Sequence, residues 1–145
     1  MSVIIVGVDG SPTAMKAAES ARQNALALNA RLHVVTAFDS GSAEFYGSSS
    51  DTWVAPDAHS AQQIAQRAAT ELQTPELAVT FSAARGKPAE VLIQEAERHQ
   101  ARMIVVGNIR MRGLGRVLGS VANSVAHNAP CDVLIVKTDD VPLSD

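Results

Sequence analysis

The chain has 145 residues, of which 46% are hydrophobic and 19% charged, with a net charge of −3 at pH 7. This length fits one domain with its own core, and the composition excludes disordered and collagen-like chains. A slightly acidic chain argues against a general nucleic-acid-binding protein, which would carry a basic face. The apolar runs are too short to span a bilayer, and the first residues lack the pattern of a signal peptide. We therefore expect a single soluble, cytoplasmic domain over residues 1–145 that binds neither membrane nor nucleic acid.

Strand and helix patterns alternate along the whole chain. Short β-branched or alternating apolar runs predict five strands, at residues 3–8, 31–37, 77–83, 102–106 and 132–137. Apolar residues at helical spacing predict four helices, at residues 12–28, 58–73, 88–100 and 120–127. Strict alternation of strand and helix favours an α/β fold, with a parallel sheet and helices on both of its faces.

Two segments depart from this pattern. Residues 39–57 are rich in Gly, Ser, Pro and Asp, which predicts a loop that is long for a compact domain. The loop contains the aromatic residues Phe45, Tyr46 and Trp53, which either close over a ligand or partner or pack within the loop itself. Residues 138–145 predict a loosely held tail.

Two strand ends carry residues typical of ligand sites. Residues 8–11 read Val-Asp-Gly-Ser, and residues 107–119 form a glycine- and arginine-rich loop before the last helix. Glycines let a backbone approach a phosphate closely, and a helix N-terminus attracts anions. Three arginines lie within seven positions of this loop: Arg110, Arg112 and Arg116. The loop is either an anion site or a solvated connection, since a glycine-rich loop alone is a weak signal.

The remaining polar residues predict structural roles. The histidines show no pairing at helical spacing and no carboxylate spacing suited to a metal, so we predict no metal site and treat them as structural or solvated: His33, His59, His99 and His127. Glu95 and Glu97 are predicted on a solvated helix face. Cys131, the sole cysteine, opens a predicted buried strand and is expected to be an inert packed thiol rather than a redox sensor. No Ser-His-Asp arrangement is present, and we predict no catalytic residue.

Several motifs in order resemble the universal stress protein family over nearly the whole chain. They are Ile5-Val6-Gly7-Val8-Asp9-Gly10-Ser11, Gly86-Lys87-Pro88-Ala89, Met103-Ile104-Val105-Val106-Gly107-Asn108, Gly119-Ser120-Val121 and Ala129-Pro130-Cys131-Asp132-Val133-Leu134-Ile135-Val136. The resemblance implies the adenine-nucleotide α-hydrolase-like fold, with one five-stranded parallel sheet in the order 3-2-1-4-5. It also implies a stress-response protein that binds an adenine nucleotide and acts as a regulator or nucleotide reservoir, not as an efficient enzyme.

The resemblance also implies a set of site residues. In nucleotide-binding members a G-x2-G-x9-G-S/T loop wraps the phosphates and ribose; Gly107 and Gly119-Ser120 match it. Asp9 matches the position that recognises adenine, and Ala37 matches the small residue that flanks the base. The predicted nucleotide-binding residues are Val8, Asp9, Ala37, Gly107, Arg110, Gly113, Gly119, Ser120 and Val121. The implied ligand is ATP, AMP or cyclic AMP, and Mg²⁺ is expected only together with ATP.

The loop departs from the family pattern at one position. Arg110 replaces the second glycine, and the stretch from there to Gly119 is one residue shorter. Arg110 either crowds the phosphates or binds one as a charged fork, and Gly113 with Gly115 can restore a close approach. Two alternatives therefore stand beside nucleotide binding. One is a family member without nucleotide that acts as a protein-interaction module. The other is a slow ATP hydrolase. The sequence shows neither a recognisable general base nor a Walker lysine, which disfavours this alternative.

The last strand predicts how copies of the chain assemble. Residues 133–136 are apolar on both faces, yet the implied strand order puts them at the sheet edge, where an uncovered strand invites pairing. A homodimer through Val133–Val136 closes that edge about a two-fold axis. The alternative is that residues 138–145 fold back over the edge.

Overall fold

A computed structural model describes residues 1–39, 45–46, 53–108 and 118–138. Its strands are β1 (Val3–Gly7), β2 (Arg31–Phe38), β3 (Phe45–Tyr46), β4 (Trp53–Val54), β5 (Val79–Arg85), β6 (Met103–Asn108) and β7 (Asp132–Lys137). Its helices are α1 (Pro12–Leu28), α2 (Ala58–Leu72), α3 (Pro88–His99) and α4 (Ser120–Asn128). The tail from residue 139, and most of the predicted 39–57 loop apart from β3, β4 and its two ends, lie outside the described residues.

Five strands form one parallel sheet in the order β5-β2-β1-β6-β7. Counting only the strands of this sheet, the order is 3-2-1-4-5, so the predicted α/β fold is confirmed. In the centre of the sheet Ile5 lies between His33 of β2 and Ile104 of β6. The short strands β3 and β4 pair antiparallel within the segment predicted as a loop.

Helices cover both faces of the sheet. The α1 and α2 face buries mostly small residues of the helices against the sheet: Ala18, Ala21, Ala25, Ala68 and Leu72 against Ile4, Val6, Leu32, Val34 and Val105. The α3 and α4 face buries Val91, Leu92, Ala96, Ala122 and Val125 against Ile5, Val35 and Ile104. The alanines of α1 let this helix lie close to the strands. None of the helices in the described ranges is long and apolar enough to cross a membrane.

The helix ends follow the sequence signals. The Ser11 hydroxyl accepts a hydrogen bond from the Ala14 N–H at 3.2 Å, and Pro12 begins α1, the arrangement that a serine cap followed by proline favours. Asp57 caps α2 by accepting from the Ser60 N–H at 2.8 Å. Helices α1 and α3 each end on a residue with left-handed backbone, Asn29 (φ 54°) and Gln100 (φ 49°).

The third predicted strand is displaced by two residues. It was predicted at residues 77–83, whereas β5 runs Val79–Arg85. Leu77 is buried, but its N–H donates to the Thr74 carbonyl at 3.1 Å and closes a turn. The apolar alternation therefore begins in the turn, because Leu77 fills the core before the strand starts. At the other end the strand continues until Arg85 pairs with Phe38.

Candidate functional site

A cavity of about 310 Å³ opens between the carboxyl ends of β1 and β6. These two neighbours lie where the strand order reverses, because β2 and β5 extend to one side and β7 to the other. Open α/β sheets bind their ligands at this point. The cavity is also within the size range of small-molecule sites.

Seven of the nine predicted site residues line this cavity: Val8, Asp9, Ala37, Gly107, Gly119, Ser120 and Val121. The other two, Arg110 and Gly113, lie outside the described residues. Residues predicted from three different strand ends and one helix start thus share a single concave surface.

Asp9 has a structural contact as well as a place in the cavity. Its Oδ1 accepts a hydrogen bond from the Ser11 N–H at 2.9 Å, so it closes the turn into α1. A carboxylate accepts several hydrogen bonds, and one donor leaves capacity for a ligand. Among the described residues that line the cavity, Asp9 is the only charged one.

Three helices begin at the cavity. Thr13 of α1, Pro88 of α3 and Ser120 of α4 all contribute to its lining. The first turn of a helix has N–H groups without partners inside the helix and a partial positive charge. The cavity therefore favours a negatively charged group at the α4 end, where Gly119 and Ser120 lie.

Asn108 is a site residue that the sequence prediction did not single out. Its Oδ1 accepts a hydrogen bond from the Gly119 N–H at 2.8 Å, and its side chain is buried. This bond ties the end of β6 to the start of α4 across the segment between them. The available signal was a polar residue placed directly after Gly107 at the end of an apolar strand.

Thr138 also lines the cavity and was not predicted there. It is 0% exposed, and its hydroxyl has no hydrogen-bond partner within the described part of the chain. A buried hydroxyl without a partner costs free energy. Because the hydroxyl oxygen is itself buried, it lies behind the cavity wall and does not face the ligand space.

Close packing of neighbouring side chains also accounts for Gly107. A Cβ atom there would lie 3.1 Å from Thr138 Cγ2 and 3.3 Å from Ala17 Cβ. The glycine thus lets α1 and the end of β7 pack closely against β6. This role comes in addition to the predicted close approach of a phosphate.

The remaining cavity wall comes from α3. Pro88, Val91 and Leu92 supply apolar surface beside Val35 and Ala37. The apolar spacing of this helix predicts the helix but not the cavity that its first turns face. In the structure the first turns of α3 serve both the core and the cavity.

The predicted solvated position of Glu95 is wrong. Its side chain is 2% exposed, because His33 of β2 and Ser82 of β5 place hydrogen-bonding groups against it at 3.2 and 3.0 Å. Glu97 is exposed, as predicted. Helical periodicity alone could not reveal polar partners on the neighbouring strands.

Cys131 is half-buried at the start of β7. Burial and the neighbouring Asp132 raise the pKa of its thiol. A raised pKa disfavours the reactive thiolate, which agrees with the expectation of an inert packed side chain.

The chain matches known proteins along nearly its full length. The model of the universal stress protein family matches residues 1–137. The universal stress protein Rv1636 of Mycobacterium tuberculosis is 33% identical over 93% of this chain and 95% of its own. A universal stress protein of Thermus aquaticus is also 33% identical, over 92% of this chain and 97% of its own.

Solved structures show the same fold. A universal stress protein in complex with cAMP superimposes with a TM-score of 0.71 at 30% identity, covering 94% of this chain and 97% of that one. An Archaeoglobus fulgidus universal stress protein in complex with dAMP gives a TM-score of 0.71 at 21% identity, covering 94% and 98%; at that identity it supports the fold only. From its sequence match and its architecture, the chain belongs to the universal stress protein family.

Proposed function

We propose that this chain binds an adenine nucleotide at the carboxyl ends of β1 and β6. It acts as a regulator or nucleotide reservoir in a stress response and not as an efficient enzyme. The observation that carries the proposal is the cavity that joins Asp9 to the start of α4, at the point where the strand order reverses. The family member that is 30% identical and was solved with cAMP supports the class of ligand.

The adenine base is assigned to the side of the cavity near β1 and β2. Asp9 lies there beside the apolar residues Val8, Val35 and Ala37. The adenine amino group would donate to the carboxylate, and the ring faces would pack against the apolar side chains. This division follows the mixture of mostly apolar walls and a few polar groups that orients small ligands.

The phosphates are assigned to the α4 side. Gly119, Ser120 and Val121 begin that helix, and Asn108 fixes its start. Arg110 and Gly113 are proposed to complete this side. Mg²⁺ would enter only with ATP, held mainly by phosphate oxygens and water, since Asp9 is the single carboxylate among the described lining residues.

The described lining also favours binding over hydrolysis. It contains no histidine, lysine or arginine, and its one carboxylate is assigned to the adenine base and not to the phosphates. Hydrolysis would require a base positioned on an attacking water. We therefore propose a binding protein without efficient turnover.

The substitution Ser120→Asp tests the phosphate assignment. A carboxylate at a helix start stabilises the helix by about 0.3–1 kcal/mol, so the fold should remain intact. At about 4 Å in water each pair of like charges costs about 1 kcal/mol, or roughly five-fold in affinity per phosphate charge. We expect the affinity to fall most for ATP, less for AMP and cyclic AMP, and not at all for adenosine, as measured by isothermal titration calorimetry.

The matched control is Ser124→Asp, which adds the same charge to α4 one turn further from the cavity. It should change the affinities much less than Ser120→Asp. Equal effects on all ligands, adenosine included, would remove the phosphates from the α4 start. A wild-type chain that binds none of these ligands would contradict nucleotide binding and favour an interaction module. Steady phosphate release from ATP would favour the hydrolase.

The free edge of β7 supports a homodimer as part of the same proposal. Leu134 and Val136 pack toward the α1 face and Val133 and Ile135 toward the α3 face, yet all four remain half-buried. Within the described residues β7 pairs only with β6. Pairing of two β7 strands about a two-fold axis would cover this apolar edge. Such a dimer is closed, because it leaves no β7 edge to which a third copy could add.

Replacing Leu134 with lysine should convert the dimer to a monomer. The wild-type chain is expected to sediment at micromolar concentration as a species of twice its 15.2 kDa. Gln62→Lys, an exposed change on α2, should leave that species unchanged. Circular dichroism separates loss of pairing from loss of fold, since Leu134 also contacts the core. A wild-type species of 15.2 kDa would contradict the dimer and indicate a covered edge.

A further inference from the structure

A cluster of polar side chains lies between α3 and the strands β2 and β5, outside the cavity. We call it the His-Glu cluster: His33 of β2, Thr80 and Ser82 of β5, and Glu95 and His99 of α3. None of its members lines the cavity of the proposed nucleotide site. The cluster lies where the second half of α3 packs over β2 and the edge strand β5.

Three potential metal ligands converge in this cluster. The Oε1 atom of Glu95 lies 3.2 Å from Nε2 of His33 and 3.6 Å from Nε2 of His99, and one ligand atom from each residue lies within 4.8 Å of the others. In a tetrahedral zinc site with bonds of about 2.0–2.1 Å, neighbouring ligand atoms are about 3.3 Å apart. The two distances from Glu95 Oε1 are therefore close to those that a bound ion needs.

The other side of the His33 ring is held as in metal-binding histidines. Its Nδ1 lies 2.7 Å from the Thr80 hydroxyl. When Nδ1–H donates to Thr80, Nε2 carries the lone pair, and an ion bound there would replace its contacts with Ser82 Oγ at 2.9 Å and Glu95 Oε1 at 3.2 Å. Such a hydrogen bond to the non-ligating nitrogen fixes the tautomer and the ring orientation of histidine ligands. Because a hydroxyl can also donate, Thr80 supports the opposite tautomer without moving.

Charge and access also suit a cation. The rings of His33 and His99 are 4.4 Å apart, centroid to centroid, a spacing at which two imidazolium cations would repel. Oε2 of the buried Glu95 carboxylate pairs with the exposed Arg98 at 3.5 Å, which leaves Oε1 to face the two histidines. The side chain of His99 is 31% exposed, which gives an ion a route from solvent.

We propose that His33, Glu95 and His99 form a binding site for a divalent transition-metal ion, with Zn²⁺ as the best fit. Two imidazoles and one carboxylate favour zinc and its neighbours over Mg²⁺ and Ca²⁺, which prefer oxygen ligands. Three protein ligands leave a fourth position for water. In the sequence Glu95 and His99 already stand one helical turn apart, a pair that the expectation of no metal site passed over. The third ligand could not be found from spacing, because His33 is 62 positions from Glu95 and meets it only in the fold.

The test is metal binding by the full-length protein after treatment with a chelator. We expect one equivalent of Zn²⁺ by calorimetry, no comparable uptake of Ca²⁺ or Mg²⁺, and intense visible absorption from Co²⁺ in a tetrahedral field. Removing a residue that only hydrogen-bonds to a metal ligand typically weakens metal binding about 10–100-fold. His99→Ala, which removes a ligand itself, should weaken Zn²⁺ binding by at least as much. His99 is the appropriate first target because it is the most exposed of the three ligands.

The matched control is the double variant His59→Ala with His127→Ala, since both histidines are exposed and belong to other helices. It should retain the one-equivalent site. Glu95→Gln, which keeps the side-chain size, serves as the second variant if His99→Ala does not fold. Absence of Zn²⁺ binding by the wild type, or equal losses in the control and in His99→Ala, would show a hydrogen-bonded packing network and overturn the proposal.

Discussion

Replacing Asn108 with alanine should lower the free energy of unfolding by about 1–3 kcal/mol, the cost of leaving a buried donor without an acceptor. The donor is the Gly119 N–H, which lies 2.8 Å from Asn108 Oδ1 in a buried setting. The loss should be read from urea unfolding, with the midpoint and slope compared between variant and wild type.

The same change should weaken nucleotide binding, because it releases the start of α4 from the end of β6. We expect ATP to lose more affinity than adenosine, since the phosphates are assigned to that helix. Asn24→Ala is the matched control: its amide donates to the Ser20 carbonyl at 2.9 Å within α1, away from the cavity. It should change stability by less than about 0.5 kcal/mol. Equal losses of stability in both variants would show that the Asn108–Gly119 hydrogen bond contributes no more than the Asn24–Ser20 bond within α1.

Asp9→Ala should weaken adenine-nucleotide binding by about 1.5–3 kcal/mol, or roughly 10–150-fold, the range for a hydrogen bond to a charged group. The fold should survive, because Asp9 is exposed and lies beyond the last residue of β1. Adenosine should lose as much affinity as ATP, since the contact is to the base. This distinguishes Asp9 from Ser120, where the loss follows the phosphate charge.

Asp9→Asn separates the two roles of this side chain. Asparagine keeps an oxygen that can accept from the Ser11 N–H, as Asp9 Oδ1 does at 2.9 Å, but it removes the negative charge. We expect wild-type stability together with a partial loss of affinity. If Asp9→Ala and Asp9→Asn both bind nucleotides like the wild type, Asp9 only closes the turn, and the base lies elsewhere.

Much of the fold was predictable because the signals are local. The β-branched run at residues 3–7 is wholly or largely buried in the centre of the sheet, and the alanine face of α1 packs where its spacing placed it. Leu77 marks the limit of this reasoning. Its apolar side chain continued the alternating pattern, but whether it belongs to a strand or a turn depends on hydrogen bonds that periodicity does not encode.

The candidate site was predictable where its residues follow strand ends or begin a helix, as Asp9 and Ser120 do. Asn108 and Glu95 were missed for a common reason. Their roles depend on partners brought together by the sheet: Gly119 for Asn108, and His33 with Ser82 for Glu95. A single sequence shows that such a residue is polar, but not which element will meet it.

The order of the strands in space differs from their order in the chain, and this has a consequence for folding. The first strand lies at the centre of the sheet, where Ile5 pairs with His33 on one side and with Ile104, about 100 residues later, on the other. As the chain leaves the ribosome, β1 therefore has one unpaired edge until the last third has been synthesised. That edge belongs to Ile4, Ile5 and Val6, all 0% exposed in the finished fold. A chain that stops before β6 would present this apolar edge to solvent, and nascent or truncated forms should be prone to aggregate.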